Sequence, residues 1–360
     1  MDQDKMFACA LSGGGPNTHT GNPINFATGN KIFHTTDYRG GGSFLIIFSR
    51  TYNSFDLGWR FSYSQRIERV SPGLVTVHKA SGQAFDFRKS GGQWHSDPDV
   101  SARLKRVANV GGGEGWEYIR PDHGRLYFNG QGRLASIQNP DGQKQTLSYT
   151  STANGQKVTV TDPHGNHLTI ELNPAGTLIR RIIDGEGRAT EYQYREGGIL
   201  SRVVYPDGTD QQYLYEDSDR PWLITGIIDR NGQRSHTVEY DDRGRAVMST
   251  LAAGAERVEV SYNDDGTTTL TNALGKRTTY RFRTLHGVEK VVHEETEPTT
   301  HTSGTSADYS YDDNGYLVEK TDARGVTTRY TRDQNGLELS RTEGVGTSAE
   351  HTVTTEWDTG

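Results

Sequence analysis

Polar and apolar positions alternate along much of the chain. In residues 189–194, Glu191 and Gln193 alternate with Tyr192 and Tyr194. Successive side chains of a strand point to opposite faces, so one face would carry the tyrosines and the other the polar groups. This alternation predicts strands in a sheet with one solvated face, and helix signals are almost absent.

Turn signals separate the predicted strands at a regular interval. Glycines recur 10 to 13 residues apart, at positions 132, 142, 155, 165, 176, 187, 198 and 208. A strand of about 5 to 6 residues plus a tight turn fills one such interval. Asp- or Asn-rich tetrapeptides that end in glycine supply the positive-φ positions that hairpins need. The sequence therefore predicts an all-β protein, in which hairpin repeats build one long, coiling antiparallel sheet.

The sequence divides into three parts. Residues 1–20 are rich in Gly, Ser, Thr and Asn and predict a flexible leader, residues 21–123 an irregular β-domain, and residues 124–360 the repeat array, incomplete at its C-terminus. Within the β-domain the pattern predicts strands at residues 43–52, 59–70, 74–79 and 83–88. The repeats are blurred around residues 245–310, and residues 286–306 are interpreted as an insertion or long loop.

Composition supports order despite a low apolar content. Only 32% of residues are hydrophobic and the mean hydropathy is -0.77, which by itself favours disorder. However, 18 tyrosines and 43 glycines suit half-buried strands joined by tight turns. The net charge of -7 gives no reason to expect a nucleic-acid partner.

Targeting signals and cysteine chemistry are nearly absent from the sequence. No run approaches the roughly 20 apolar residues of a membrane helix. The acidic N-terminus and the short apolar residues 6–11 predict no signal peptide. The single cysteine, Cys9, excludes an internal disulfide framework and a cysteine-based zinc site.

Motif searches favour structural roles over catalysis. His293 and Glu294 lack the second histidine of a zinc-protease helix, and Lys276, in Leu274-Gly275-Lys276-Arg277-Thr278, lacks the rest of a phosphate-binding loop. His164 and His167 are the nearest approach to a metal-binding cluster, and we expect no metal there. Many carboxylates occupy turn positions, where a short side chain bonds its own backbone: Asp141, Asp207, Asp241, Asp312 and Asp322. Asn263-Asp264-Asp265-Gly266 and residues 312–315 lack the ligand spacing of a calcium loop.

The strand tyrosines allow two interpretations. Aromatic rings at fixed strand positions are what cross-strand packing requires, and exposed rings could instead stack on sugars. The residues concerned are Tyr192, Tyr194, Tyr213, Tyr215 and Tyr330. We expect packing, and we assign no catalytic, cofactor-binding or metal-binding residue.

Several repeats in register resemble a known family. The run from Tyr311-Asp312 to Gly315 and Leu317, then Thr321-Asp322, Gly325 and Tyr330, resembles the YD repeat of Rhs (rearrangement-hotspot), teneurin and insecticidal-toxin-complex proteins. Residues 21–31, Asp37-Tyr38, residues 48–53 and Gly58-Trp59 resemble the β-domain that opens the repeat region of bacterial Rhs polymorphic toxins.

This resemblance implies a non-catalytic shell segment. In such proteins the repeat sheet encloses a C-terminal toxin, so the implied partners are the rest of the shell, that cargo, and a secretion-system spike or chaperone. The chain would be made in the bacterial cytoplasm and exported through a dedicated secretion system, in competition between bacteria. We expect an N-terminal portion of a larger shell or a truncated gene product. The alternative is a secreted or surface repeat module that binds carbohydrate or a partner protein.

Overall fold

The structure is a computed structural model that describes residues 15–56, 58–300, 302–333 and 335–357. Among these residues there is no α-helix, and the two short 3-10 turns are Glu196–Gly198 and Ala252–Gly254. The predicted all-β class is therefore confirmed. Cys9 and most of the predicted leader lie outside the described residues.

The strands are numbered in chain order. They are β1 (His19–Thr20), β2 (Ile24–Asn25), β3 (Asn30–Arg39), β4 (Ile47–Asn53), β5 (Gly58–Phe61), β6 (Arg66–Ser71), β7 (Leu74–His78), β8 (Ala84–Ser90), β9 (Gln93–His95), β10 (Arg103–Val110), β11 (Gly113–Ile119), β12 (Arg125–Phe128), β13 (Leu134–Gln138), β14 (Lys144–Thr152), β15 (Gly155–Thr161), β16 (His167–Leu172), β17 (Ile179–Ile183), β18 (Ala189–Arg195), β19 (Ile199–Val204), β20 (Asp210–Leu214), β21 (Gly226–Ile228), β22 (Arg234–Tyr240), β23 (Ala246–Leu251), β24 (Val258–Tyr262), β25 (Thr268–Asn272), β26 (Arg277–Leu285), β27 (Val288–Thr296), β28 (Thr305–Tyr311), β29 (Leu317–Asp322), β30 (Thr327–Arg332), β31 (Glu338–Glu343) and β32 (His351–Thr354).

The chain forms two compact units. Unit 1 contains Met1–Lys31, Asp97–Ser101 and Glu239–Gly360, and unit 2 contains Ile32–Ser96 and Ala102–Val238. These units do not follow the three sequence segments, and the predicted division at residues 20 and 123 stays a prediction. His19–Thr20, which the sequence placed at the end of the leader, pairs with β2.

In unit 2 each strand from β6 to β22 pairs antiparallel with the next one along the chain. β3, β4 and β5 form a separate antiparallel group. The sheet also curls back, because Arg66 forms an isolated antiparallel bridge with Arg133 and the Ile67 N–H donates to the Gly132 carbonyl at 2.9 Å.

In unit 1 the same nearest-neighbour order runs from β23 to β32. β26 and β27 are nine-residue strands that meet in a tight turn at His286 and Gly287. The prediction of a long loop over residues 286–306 is therefore wrong. Val291 is buried in the hairpin. Most residues around it are polar, so the sequence lacks the apolar alternation that would have predicted a strand.

Many of the hairpin turns are headed by an Asp or Asn side chain. In one example the Gly187 N–H donates to the Asp184 carbonyl at 3.0 Å, and Asp184 Oδ1 accepts from the N–H groups of Glu186 and Arg188 at 3.0 and 2.9 Å. The same side-chain pattern occurs at Asp162, Asp229, Asp241, Asp312, Asp322 and Asp333. All eight periodic glycines have positive φ, as the spacing predicted.

Two details of the turn and strand predictions need correction. Asp141 does not head its turn, because Asn139 Oδ1 accepts the Gln143 N–H at 2.8 Å instead. The predicted strand at residues 59–70 is two strands, β5 and β6. A turn separates them, in which the Ser64 N–H donates to the Phe61 carbonyl at 2.9 Å. The alternation of apolar residues on either side concealed this turn.

Candidate functional site

The strongest candidate site is the tyrosine face of unit 2, defined by Tyr149, Tyr192, Tyr194, Tyr213 and Tyr215. Tyr192 is 6% exposed and Tyr213 is 4% exposed. Glu191 and Gln193, between the tyrosines of β18, are exposed on the opposite side of the strand. The predicted alternation is therefore confirmed in β18, where Tyr192 is buried and Tyr194 is partly buried on the face opposite to Glu191 and Gln193.

Two of these tyrosines make the same hydrogen bond, which we call the tyrosine clamp. The hydroxyl of Tyr149 donates to the Leu134 carbonyl at 2.7 Å, and the hydroxyl of Tyr215 donates to the Leu200 carbonyl at 2.7 Å. Each acceptor lies two residues after a turn glycine, in Gly132-Arg133-Leu134 and Gly198-Ile199-Leu200. The clamp thus explains why glycine, leucine and tyrosine recur at a fixed distance.

The clamp also occurs within unit 1. Tyr262 donates to the Ala246 carbonyl at 2.9 Å, two residues after Gly244. At the corresponding place near the end of the chain, Arg332 Nε donates to the Leu317 carbonyl at 3.3 Å. The acceptor is therefore retained while the donor changes.

Cationic side chains cover the clamp tyrosines. The Arg133 guanidinium lies 5.5 Å from the ring centroid of Tyr149, and that of Arg195 lies 4.3 Å from the ring centroid of Tyr215. Burial raises the pKa of Tyr149 to about 12, although the positive charge of Arg133 opposes this shift. The clamp hydroxyls therefore stay protonated and donate at neutral pH.

A buried ion pair fixes β3 and β4 on the tyrosine face. Arg50 donates to both carboxylate oxygens of Asp37, from Nε at 2.5 Å and from Nη2 at 3.0 Å, and both side chains are almost completely buried. Tyr192 and Tyr205 donate to Asp37 at 2.8 and 3.1 Å. Arg50 Nη2 also donates to the Tyr213 hydroxyl at 3.0 Å. A buried pair needs such additional hydrogen bonds to offset its lost hydration.

Aromatic rings surround the Arg50 guanidinium. It lies 4.6 Å from the centroid of Trp59 and 5.3 Å from that of Tyr192. Burial lowers the pKa of Arg50, but the charge of Asp37 more than offsets this, so the pKa stays well above its usual value. Beside the pair lies a cavity of about 170 Å³, lined by Arg50 and the rings of Tyr194 and Tyr215. No acceptor among the described residues bonds Arg50 Nη1.

The histidines and the lysine of the candidate metal-binding and phosphate-binding motifs bond to other protein groups. His293 Nδ1 lies 2.7 Å from Asp308 Oδ1, and His164 Nε2 lies 3.0 Å from the Ser43 hydroxyl. Lys276 follows a turn in which its N–H donates to Asn272 Oδ1 at 3.0 Å. Across the part of the chain that the structure describes, no group of three His, Cys, Asp or Glu residues could hold a metal ion.

These features define an antiparallel hairpin-repeat protein with a clamped tyrosine face. Two family models match the chain: "Domain of unknown function (DUF6531)" over residues 21–87 and "RHS Repeat" over residues 311–348. These two matches, together with the relatives described next, show that the chain belongs to the Rhs/YD-repeat family.

Curated relatives extend over much of the chain. It is 26% identical to "Probable deoxyribonuclease RhsB" of Dickeya dadantii (strain 3937) over 84% of its length and 21% of that protein. It is 33% identical to "Double-stranded DNA deaminase toxin A" of Burkholderia cenocepacia (strain H111) over 37% of its length and 9% of that protein. The chain thus spans about a fifth of the length of the first relative.

Solved structures of low similarity cover most of the chain. The crystal structure of "TcdB2-TccC3 without hypervariable C-terminal region" is 12% identical and aligns with 85% of this chain and 20% of that chain, with a TM-score of 0.38. Among the residues that the structure describes, no helix is long and apolar enough to cross a membrane.

Proposed function

We propose that this segment is a non-catalytic part of a shell wall that encloses, and helps to deliver, a toxin domain carried elsewhere in a longer polypeptide. The observation that carries the proposal is the clamped tyrosine face. Tyr192 and Tyr213 bond to Asp37 and Arg50 of β3 and β4. Tyr149 and Tyr215 bond to backbone carbonyls of the sheet. Such a surface gives a wall rigidity and leaves its side chains little freedom to act on a substrate.

The proposal extends to partners and location. The sheet would continue into the rest of the shell, because an antiparallel sheet grows by adding strands at its edge and an edge strand offers unpaired backbone groups. The wall would enclose the toxin cargo and meet a secretion-system spike or chaperone. The protein would leave the cell through a dedicated secretion system and act in competition between bacteria.

Carbohydrate binding gains no support from the tyrosines on which it would depend. Tyr192 and Tyr213 are buried, and Tyr194, Tyr215 and Tyr330 are partly buried. A sugar-binding platform needs exposed ring faces.

Protease protection of the cargo in the full-length protein tests the enclosure. We would express the complete reading frame and follow the cargo domain during limited proteolysis. The cargo should resist cleavage in the wild type and lose protection in Asp37→Asn, which weakens the attachment of β3. The matched control is Asp210→Asn, which removes a partly exposed carboxylate that pairs with Arg202. Equal cleavage of cargo in the wild type and of isolated cargo would refute the proposal.

A further inference from the structure

A cationic groove in unit 2 adjoins the clamp that Tyr149 makes with Leu134. It encloses about 490 Å³ between β5 and strands of the repeat sheet. Its charged lining is Arg60, Arg66 and Arg133, and Phe61 and Tyr149 supply aromatic surface. This volume lies within the range of roughly 300–1,000 Å³ that is typical of ligand-binding pockets.

The groove holds like charges in an unfavourable arrangement. The bridge that closes β6 onto the start of β13 places Arg66 directly opposite Arg133. Like charges directly opposite each other destabilise a strand pair. Arg60 adds to the repulsion: partial burial first, and then the charge of Arg60, lower the pKa of Arg66. An anion bound between Arg66 and Arg133 would relieve this repulsion.

The carboxylates of the region neutralise the groove only in part. Asp56 is paired with Arg60. Glu68 lies 3.8 Å from Arg66, and the side chains of Glu68 and Arg66 are both about half exposed. Within the described residues no carboxylate lies at ion-pair distance from Arg133, whose guanidinium covers the Tyr149 ring. Arg133 is exposed and can bind a carboxylate from outside.

We propose that this groove binds an extended, acidic segment of a partner polypeptide, with its carboxylates on Arg66 and Arg133 and its apolar side chains on Phe61 and Tyr149. Alternate side chains of an extended peptide point to opposite sides, so acidic and apolar residues can face different walls. Arginine forks bind carboxylates with two parallel hydrogen bonds. A nucleic acid is less suitable, because the basic residues are confined to one groove in a chain of net charge -7.

Fluorescence polarisation on the full chain tests this assignment. The probe is a fluorescein-labelled peptide in which glutamate alternates with valine, and the comparison peptide has glutamine in place of glutamate. The double variant Arg66→Gln/Arg133→Gln should bind the acidic peptide about tenfold more weakly than the wild type, since each partly exposed pair contributes modestly. The matched control, Arg103→Gln, removes an exposed arginine on β10 and should bind like the wild type.

Thermal unfolding separates binding from folding. The double variant should melt close to the wild type, because relief of the repulsion between Arg66 and Arg133 offsets the loss of the half-exposed Arg66–Glu68 pair and of the Arg133–Tyr149 contact. The wild type should bind the glutamine peptide far more weakly than the acidic peptide, and added salt should weaken its binding of the acidic peptide. Equal binding of both peptides, or unchanged affinity in the double variant, would overturn the proposal. Tighter binding of a single-stranded oligonucleotide of equal charge, lost in the same variant, would overturn it in favour of nucleic acid.

Discussion

The hydroxyl of Tyr149 donates a hydrogen bond of 2.7 Å to the carbonyl oxygen of Leu134, 15 residues earlier in the chain. Tyr215 and Leu200 make the same bond across the same separation. In both cases the carbonyl acceptor lies two residues after a turn glycine, and the tyrosine lies on or just after the next strand along the chain.

Removing one clamp hydroxyl should destabilise the fold by a measurable amount. Tyr149→Phe keeps the ring but leaves the Leu134 carbonyl without this donor, and we expect a loss of about 1 kcal/mol in the free energy of unfolding. Denaturant titration measures it. The matched control is Tyr38→Phe, because no described group accepts a hydrogen bond from the Tyr38 hydroxyl. An equal loss in both variants would show that the clamp adds nothing.

Breaking the buried ion pair should be far more costly than breaking an exposed one. Arg50→Met leaves Asp37 buried without its cation, and we expect a loss of about 3 kcal/mol or more. Asp210→Asn, in the exposed pair with Arg202, should cost less than about 1 kcal/mol.

A double-mutant cycle isolates the coupling between Arg50 and Asp37. The variant Asp37→Asn/Arg50→Met should lose less stability than the sum of the two single losses, because each single change strands the other charge. Additive losses would mean that the pair itself contributes no coupling and that the surrounding aromatic packing dominates.

Two glycines with the same backbone conformation should respond differently to alanine. Gly132 and Gly142 have φ of 79° and 84°, so alanine at either position costs about 1–2 kcal/mol of backbone strain. A Cβ at Gly132 would also overlap the Ile67 carbonyl, whereas at Gly142 its nearest neighbour is 3.9 Å away. Gly132→Ala should therefore lose clearly more stability in denaturant titrations than Gly142→Ala. Equal losses would argue against the closure of β6 onto the Gly132 turn.

Alkaline pH should destabilise the tyrosine face. Burial raises the pKa of Tyr149 and of Tyr213 to about 12, above the value of about 10 in an unfolded chain. Between these values the unfolded state releases protons that the folded state keeps, so stability falls as pH rises. The contribution is complete below about pH 10 and is lost as pH passes about 12. Phenolate absorbance should show a group of tyrosines that ionise at higher pH than the others in the folded protein. In denaturant these tyrosines should ionise at the ordinary, lower pH.

Turn positions and the two faces of a strand were predictable from the sequence, because they depend on neighbouring residues. The eight periodic turn glycines and the alternation around Tyr192 each follow from a few adjacent positions. The hairpin of β26 and β27 was missed because its residues are mostly polar on both faces. A strand pair held mainly by backbone bonds gives little apolar periodicity, and without that signal it resembles a loop.

The Asp37–Arg50 pair could not be inferred from the sequence. The two residues are 13 positions apart, which fits many arrangements, and their burial depends on Tyr192 and Tyr213, more than 150 residues further along the chain. An acid and a base in a polar segment are usually at the surface. Only the packing of β4 on the tyrosine face distinguishes this pair from the many exposed ones.

The nearest-neighbour order of the strands has a consequence for the sequence of folding events. Each hairpin of unit 2 needs only residues a short distance along the chain, so the repeat sheet can assemble as the chain leaves the ribosome. Arg50 is made early, yet its partner Tyr213 follows 163 residues later. The packing of β4 on the tyrosine face must therefore wait until most of the sheet has been made, although its pairing with β3 and β5 needs only nearby residues.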